Sequence, residues 1–273
     1  MSKRTFTKNL KYVVLAIIIF GPIVYFAPYI AITYALFGAY DVSRNTDLDS
    51  FVIQRYFLGN GILTWVLSPF NALLDLIALP FINRGVYRLE DLPTGHRAEV
   101  ERLIQISTSE NLVARLEEKA KEFPRTMIFF KWYGKNVDTI IDVPVFHEKW
   151  KYIQTIGVSV FNKKVSTSRH FGPLRATFRV LYNLNDIKDK SAYIIVGNTT
   201  SYWSENKLFI FDDTLMHQSI NGTEKTRYCL FVDMVRPAPF RAPFVAIVKV
   251  IRFFASGFNS IFYKNWIVLK KDA

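Results

Sequence analysis

Two long apolar stretches open the chain, a segment with helical periodicity follows, and most of the remainder alternates in short steps. Residues 12–40 run for 29 positions without a charged side chain. That exceeds the roughly 20 apolar residues needed to cross a bilayer core. Pro22 and Pro28 would kink such a span without preventing it. The run is too long for a cleaved signal peptide and lacks a small-residue cleavage site. After a mixed-charge loop at 41–56, residues 57–83 are again apolar apart from Asp75, with Pro69 near the middle. This second stretch reads as a kinked span or two short interfacial helices, with a helical pair buried on a domain as the alternative. Residues 96–122 predict helix, because Val100, Leu103, Ile104, Leu112, Val113 and Leu116 recur at three- and four-residue spacing.

From residue 125 the period changes to that of strands. Runs at 126–133, 152–161, 176–184, 191–198, 207–213 and 226–235 are rich in β-branched and aromatic residues and separated by turn-like segments. Strands without intervening helices predict an antiparallel barrel or jelly roll. Residues 244–262 return to a helical period. Phe244, Ile247, Ile251, Phe254, Phe258, Ile261 and Phe262 share one arc, opposite Lys249, Arg252, Ser256, Asn259 and Ser260. A basic, Phe-rich helix of this kind suits a membrane interface, with packing on the core as the plainer alternative.

Composition and charge sharpen this reading. Half of the 273 residues are hydrophobic and the net charge is +12. Residues 1–11 hold four basic and no acidic side chains; residues 236–273 hold seven basic ones against Asp272. Basic charge beside apolar stretches points to an anionic membrane surface and away from nucleic acid. The positive flanks would leave loop 41–56 outside and everything after residue 84 on the cytoplasmic face. Cys229 is the lone cysteine, which excludes a disulfide scaffold and a cysteine-based zinc site. The expected organisation is a membrane anchor (1–85), a helical connector (86–124), a β domain (125–240) and a basic, membrane-facing tail (241–273).

Of the four histidines, His96 and His147 read as surface residues. His170 precedes one predicted strand and His217 follows another, so the two could converge in a barrel mouth, where imidazoles suit iron, copper or zinc. Arg179 and Arg227 lie in otherwise apolar strands and need partners there, which a dicarboxylate ligand would supply. Alternation puts Arg227, Cys229, Phe231 and Asp233 on one face.

These residues resemble a known family. His170-Phe-Gly-Pro173 followed by Arg179, then Phe211-Asp-Asp213 with His217, Arg227 and the run from Phe231 to Pro237, are similar to the aspartyl/asparaginyl β-hydroxylases over about residues 125–240. Phe130-Lys-Trp-Tyr-Gly134, with the apolar stretches, resembles the branch containing bacterial lipid A hydroxylases. The resemblance implies an Fe(II)- and 2-oxoglutarate-dependent dioxygenase on a double-stranded β-helix, a mainly β jelly roll with flanking helices and N-terminal membrane segments. It implies iron at His170 and His217, the distal 2-oxoglutarate carboxylate at Arg227 and Ser159, cosubstrate or substrate at Arg179, and Trp132 walling the pocket. Asp213 would either restrain an iron-bound water or cap the turn after its strand.

Two positions depart from the pattern. Gly172 stands where most such enzymes, lipid A hydroxylases included, carry a metal-binding carboxylate, whereas the family's protein hydroxylases resemble this chain in lacking the acid; Leu181 stands where a histidine is frequent. The expected activity is hydroxylation of a membrane-lipid acyl chain of lipid A type. The alternatives are peptidyl aspartyl/asparaginyl β-hydroxylation and a degenerate binding module.

Overall fold

A computed structural model describes residues 21–271 except 23, 82–83, 121 and 256–265. Among these residues, the larger sheet runs in the order β1 (Val86–Tyr87), β9 (Leu208–Phe211), β6 (Thr177–Asn183), β11 (Arg227–Val235), β4 (Ile153–Phe161), β2 (Arg125–Trp132) and β12 (Ile267–Leu269). β3 (Lys135–Asn136) pairs with β2. The smaller sheet runs β5 (Val165–Ser166), β10 (His217–Asn221), β7 (Ala192–Val196) and β8 (Thr199–Tyr202). From β4 to β11 the chain passes repeatedly between two antiparallel sheets, which is the strand order of a jelly roll. All six predicted strands are present.

The larger sheet is buried on both faces. On β11, Tyr228, Leu230, Val232 and Met234 face helices α5 (Thr94–Ser109) and α6 (Leu112–Ala120). Cys229 and Phe231 face the smaller sheet and pack with its Ile194 and Val196. The single helix predicted over 96–122 is two helices, broken where Asn111 adopts a φ of 46°.

The apolar N-terminal region departs most from expectation. It forms α1 (Pro28–Ser43), α2 (Ser50–Leu58), α3 (Ile62–Val66) and α4 (Ser68–Ile77), and no helix among the described residues is long and apolar enough to cross a membrane. Much of the first expected span, residues 12–20 and 23, lies outside the described residues. The second is interrupted around Gly59 and Gly61, and its inward positions include the buried polar residues Thr64, Ser68 and Asn71. A continuous span would expose those groups to hydrocarbon; here Thr64 and Asn71 bond to the β domain.

Leu74 and Ala78 pack with Leu174 and Val235, and with Phe244 and Val248 of α7 (Arg241–Ala255). The arc of α7 expected to meet a membrane is therefore turned inward at Phe244, Ile247 and Ile251. The side chains of Phe254, Ser256, Phe258, Asn259, Ser260, Ile261 and Phe262 lie outside the described residues. Loop 41–56, expected across a membrane from the domain, instead packs on it.

A buried ionic cluster fastens these helices down. The Arg175 side chain is fully buried and pairs with Asp41 of α1 and Asp75 of α4. Arg236 Nη1 lies 2.7 Å from Asp75 Oδ1, and Arg44 Nη2 lies 2.6 Å from Asp212 Oδ2. The Tyr56 hydroxyl donates to Asp41 Oδ2 at 2.6 Å.

Candidate functional site

His170 and His217 form an isolated antiparallel bridge between the segment before β6 and the first residue of β10. The His170 amide donates to the His217 carbonyl at 3.0 Å, and the reverse bond is 2.9 Å. The ring centroids are 4.2 Å apart with the planes tilted by 51°. Each Nδ1 faces a carbonyl, Ser168 O at 2.7 Å and Leu215 O at 2.9 Å. A carbonyl can only accept, so both Nδ1 atoms carry the proton and both Nε2 atoms keep a lone pair. Burial pushes both imidazoles below their ordinary pKa, and for His217 the neighbouring His170 adds to the shift. Both are therefore neutral at physiological pH, the form that binds a metal.

Arg227 opens β11 with its side chain on the inner face, 1 % exposed. Its guanidinium lies over Phe161, 4.3 Å from the ring centroid, and 5.2 Å from that of Trp203. Nη2 donates to Ser219 Oγ at 2.9 Å, whereas Nε and Nη1 have no hydrogen-bond partner among the described residues. Buried N–H groups in that condition are costly unless an acceptor arrives. Ser159 faces Cys229 across the β4–β11 ladder and donates to its carbonyl at 3.2 Å. Trp132 packs against the cluster between the sheets.

Arg179 has a different setting. It bonds Asp233 Oδ1 through Nη2 at 2.7 Å, approaches Asp213 Oδ2 at 3.1 Å, and lies 4.1 Å from the Phe231 ring centroid. Its charge is thus met by carboxylates of the chain itself.

Asp213 and Gly172 fit together closely. The Gly172 amide donates to Asp213 O at 2.6 Å. A Cβ at residue 172 would lie 2.4 Å from Asp213 Oδ2. Burial, opposed by Arg179, pushes the Asp213 carboxyl up to about 7, and its Oδ1 has no hydrogen-bond partner among the described residues. The space a carboxylate at 172 would enter is taken by the carboxylate at 213. Gly172→Ala is expected to displace Asp213 and lower stability by about 1–3 kcal/mol, read from the urea midpoint.

The N-terminal helices hold the loops that carry both histidines, a role the sequence did not reveal. Asn45 Oδ1 accepts from the Met216 amide at 2.8 Å. Thr64 Oγ1 donates to Gly172 O at 3.0 Å. Asn71 donates to Pro173 O at 3.2 Å and accepts from the Arg175 amide at 2.9 Å. The available signal was a polar residue within an apolar run. Ser219 and Trp203 at Arg227, and Asp233 as the partner of Arg179, were likewise unforeseen.

His96, expected at the surface, is buried. It stacks on Tyr152 at 3.8 Å, donates from Nε2 to Val235 O at 3.0 Å, and burial holds its pKa at about 4. It serves packing between α5 and the larger sheet. His147 lies 3.4 Å from Asp142.

No group of three or more His, Cys, Asp or Glu among the described residues could hold a metal ion. The donor set at the bridge is two imidazoles, which would leave further coordination to small ligands.

The sequence model described as Aspartyl/Asparaginyl beta-hydroxylase matches residues 97–237. Over 95 residues the chain is 38% identical to the ornithine lipid ester-linked acyl 2-hydroxylase of Rhizobium tropici, a match spanning 34% of this chain and 34% of the relative. The match thus covers about a third of that relative's length. Among solved structures, a mutant of the salicylate 1,2-dioxygenase from Pseudoaminobacter salicylatoxidans overlaps at 10% identity and a TM-score of 0.28, covering 50% of this chain and 32% of that one. The Cnp3 cupin domain of Schizosaccharomyces pombe overlaps at 10% identity and a TM-score of 0.27, covering 33% and 60%. Overlaps this partial carry no weight; the jelly-roll assignment rests on the strand order.

Proposed function

The chain belongs to the aspartyl/asparaginyl β-hydroxylase family, and from that premise we propose that it is an Fe(II)- and 2-oxoglutarate-dependent dioxygenase acting on the acyl chain of a membrane lipid. One observation carries the cosubstrate reading: the buried Arg227 guanidinium, whose Nε and Nη1 have no acceptor among the described residues. Ser219, which Arg227 bonds, is two residues beyond His217 on the same face of β10. That spacing is about 7 Å, the span of a five-carbon dicarboxylate.

In this reading His170 and His217 hold iron through Nε2, their rings fixed by the Nδ1 bonds. Iron would supply oxygen activation: one oxygen atom enters a substrate C–H bond, and the other enters succinate as 2-oxoglutarate loses carbon dioxide. Arg227 receives the distal carboxylate with Ser159 beside it, and Trp132 walls the pocket. Asp213, whose Oδ1 has no hydrogen-bond partner among the described residues, orients a water where other such enzymes carry a third protein ligand. Arg179 holds Asp213 in place as well as lying toward cosubstrate or substrate.

The lipid substrate, and hydroxylation at C2 of its acyl chain, follow the activity for which the Rhizobium tropici relative is named. Exposed Tyr29, Ile30, Ile32 and Leu36 on α1 suit contact with a membrane, and the basic chain ends suit an anionic surface on the cytoplasmic face. Gly172 favours the second reading, a peptide substrate.

The test supplies purified protein with Fe(II), 2-oxoglutarate and either total membrane lipid or Asp/Asn peptides. The expected result is a lipid heavier by one oxygen with matching succinate. Oxidised peptide alone would move the protein to the second reading, and no succinate would sink both. Arg227→Gln is expected to weaken 2-oxoglutarate binding by about 10²-fold, measured by calorimetry on metal-loaded protein.

A further inference from the structure

Trp203 directly follows β8, and its side chain belongs to the cluster between the sheets, with Ile194, Phe209 and Phe211. It is 2% exposed, and its backbone amide donates to Ala192 O of β7 at 3.1 Å, which fixes where the side chain enters. An indole carries one N–H, a donor and never an acceptor, and a buried indole ordinarily sets it against an oxygen. The Nε1 of Trp203 has no hydrogen-bond partner among the described residues. Phenylalanine would supply apolar contact there without burying a donor, which costs roughly 1–3 kcal/mol when no acceptor meets it.

That donor does not stand alone. The Arg227 guanidinium carbon lies 5.2 Å from the Trp203 ring centroid, and Arg227 Nε and Nη1 also have no acceptor among the described residues. Arg227 Nη2 is occupied by Ser219 Oγ. Burial lowers the Arg227 pKa, and no carboxylate of the described chain opposes that shift. Three N–H groups lacking an acceptor thus sit on two neighbouring, buried side chains that together carry one positive charge. A carboxylate brings one negative charge and two oxygens with about four acceptor sites, so it can accept from indole and guanidinium together.

We propose that the Trp203 indole N–H is a further donor to the distal carboxylate of 2-oxoglutarate, beside Arg227. The assignment rests on the cosubstrate reading given above. It gives Trp203 a role that packing alone does not: its contribution to binding depends on the ligand's far carboxylate and vanishes with a ligand that lacks one.

The test uses the full chain in detergent micelles, with Zn(II) as a diamagnetic stand-in for Fe(II) and nitrogen-15 in its five tryptophans. Two ligands are compared: 2-oxoglutarate, and 2-oxovalerate, which keeps the five carbons and the metal-binding end but lacks the distal carboxylate. The Trp203 indole resonance, assigned by its loss in Trp203→Phe, should move downfield with 2-oxoglutarate and stay in place with 2-oxovalerate. By calorimetry, Trp203→Phe should weaken 2-oxoglutarate binding about tenfold and leave 2-oxovalerate binding unchanged. If the phenylalanine variant does not fold, Trp203→Tyr takes its place. An indole signal unmoved by 2-oxoglutarate, or a variant that loses both ligands alike or neither, would overturn the role of Trp203. The cosubstrate reading would then stand wherever the wild type still prefers 2-oxoglutarate. A wild type that binds neither ligand, or both equally, would overturn the cosubstrate reading and the role of Trp203 with it.

Discussion

Replacing His217 by alanine is expected to lower hydroxylation by about 10³-fold or more and to remove stoichiometric Fe(II) binding. The effect on activity should far exceed the effect on folding. The bridge between His170 and His217 is made by backbone groups, which alanine retains, so β10 keeps its pairing with β7. The imidazole itself packs beside Phe211, with centroids 5.1 Å apart, and its loss leaves a small cavity costing about 1–3 kcal/mol. Equilibrium dialysis of wild type and variant against Fe(II) checks the claim without relying on turnover. His170→Ala should behave alike. Metal binding retained in both variants would refute the assignment of this pair.

The second large effect is on stability. Arg175→Met is expected to cost about 3–5 kcal/mol, because it leaves the carboxylates of Asp41, Asp75 and Asp212 with fewer cations in a buried cluster. Burial pushes Arg175 down only to about 10, so the residue is charged at neutral pH and its partners depend on it. The urea midpoint should fall accordingly, and an unchanged midpoint would show that the cluster contributes no net stability.

The same cluster predicts a direction with pH. Burial alone would raise the Asp212 carboxyl, but Arg44, Arg175 and Arg236 outweigh it and hold the group well below the carboxylate range. A depressed native pKa contributes stability that is complete above the unfolded value, about pH 4, and is lost as pH falls below it. The wild-type urea midpoint should therefore drop below about pH 4, and less steeply in Asp212→Asn.

The β domain was readable because its central strands carry long apolar and β-branched runs. β10 was not, since His-Gln-Ser-Ile-Asn lacks that texture and is a strand because β7 and β5 flank it. Period-two alternation put Arg227, Cys229, Phe231 and Asp233 on one face of β11, and only the packing shows that this face meets the smaller sheet. The division of labour between the arginines was not legible either: Arg179 and Arg227 both sit in apolar strands, and only packing shows that Asp213 and Asp233 meet one while the other has no acceptor at Nε and Nη1 among the described residues.

Local pattern thus determined what it physically encodes, namely strand period, facing side chains and the spaced residues that mark the family. Tertiary structure decided what burial means. An apolar run loses water equally by entering a bilayer or by packing on a domain, so hydropathy cannot separate the two. Here Thr64, Asn71 and Asp75 within such a run find partners at Gly172, Pro173 and Arg175. Those bonds join residues roughly a hundred positions apart in sequence, and they make the expected membrane anchor a brace behind the histidines.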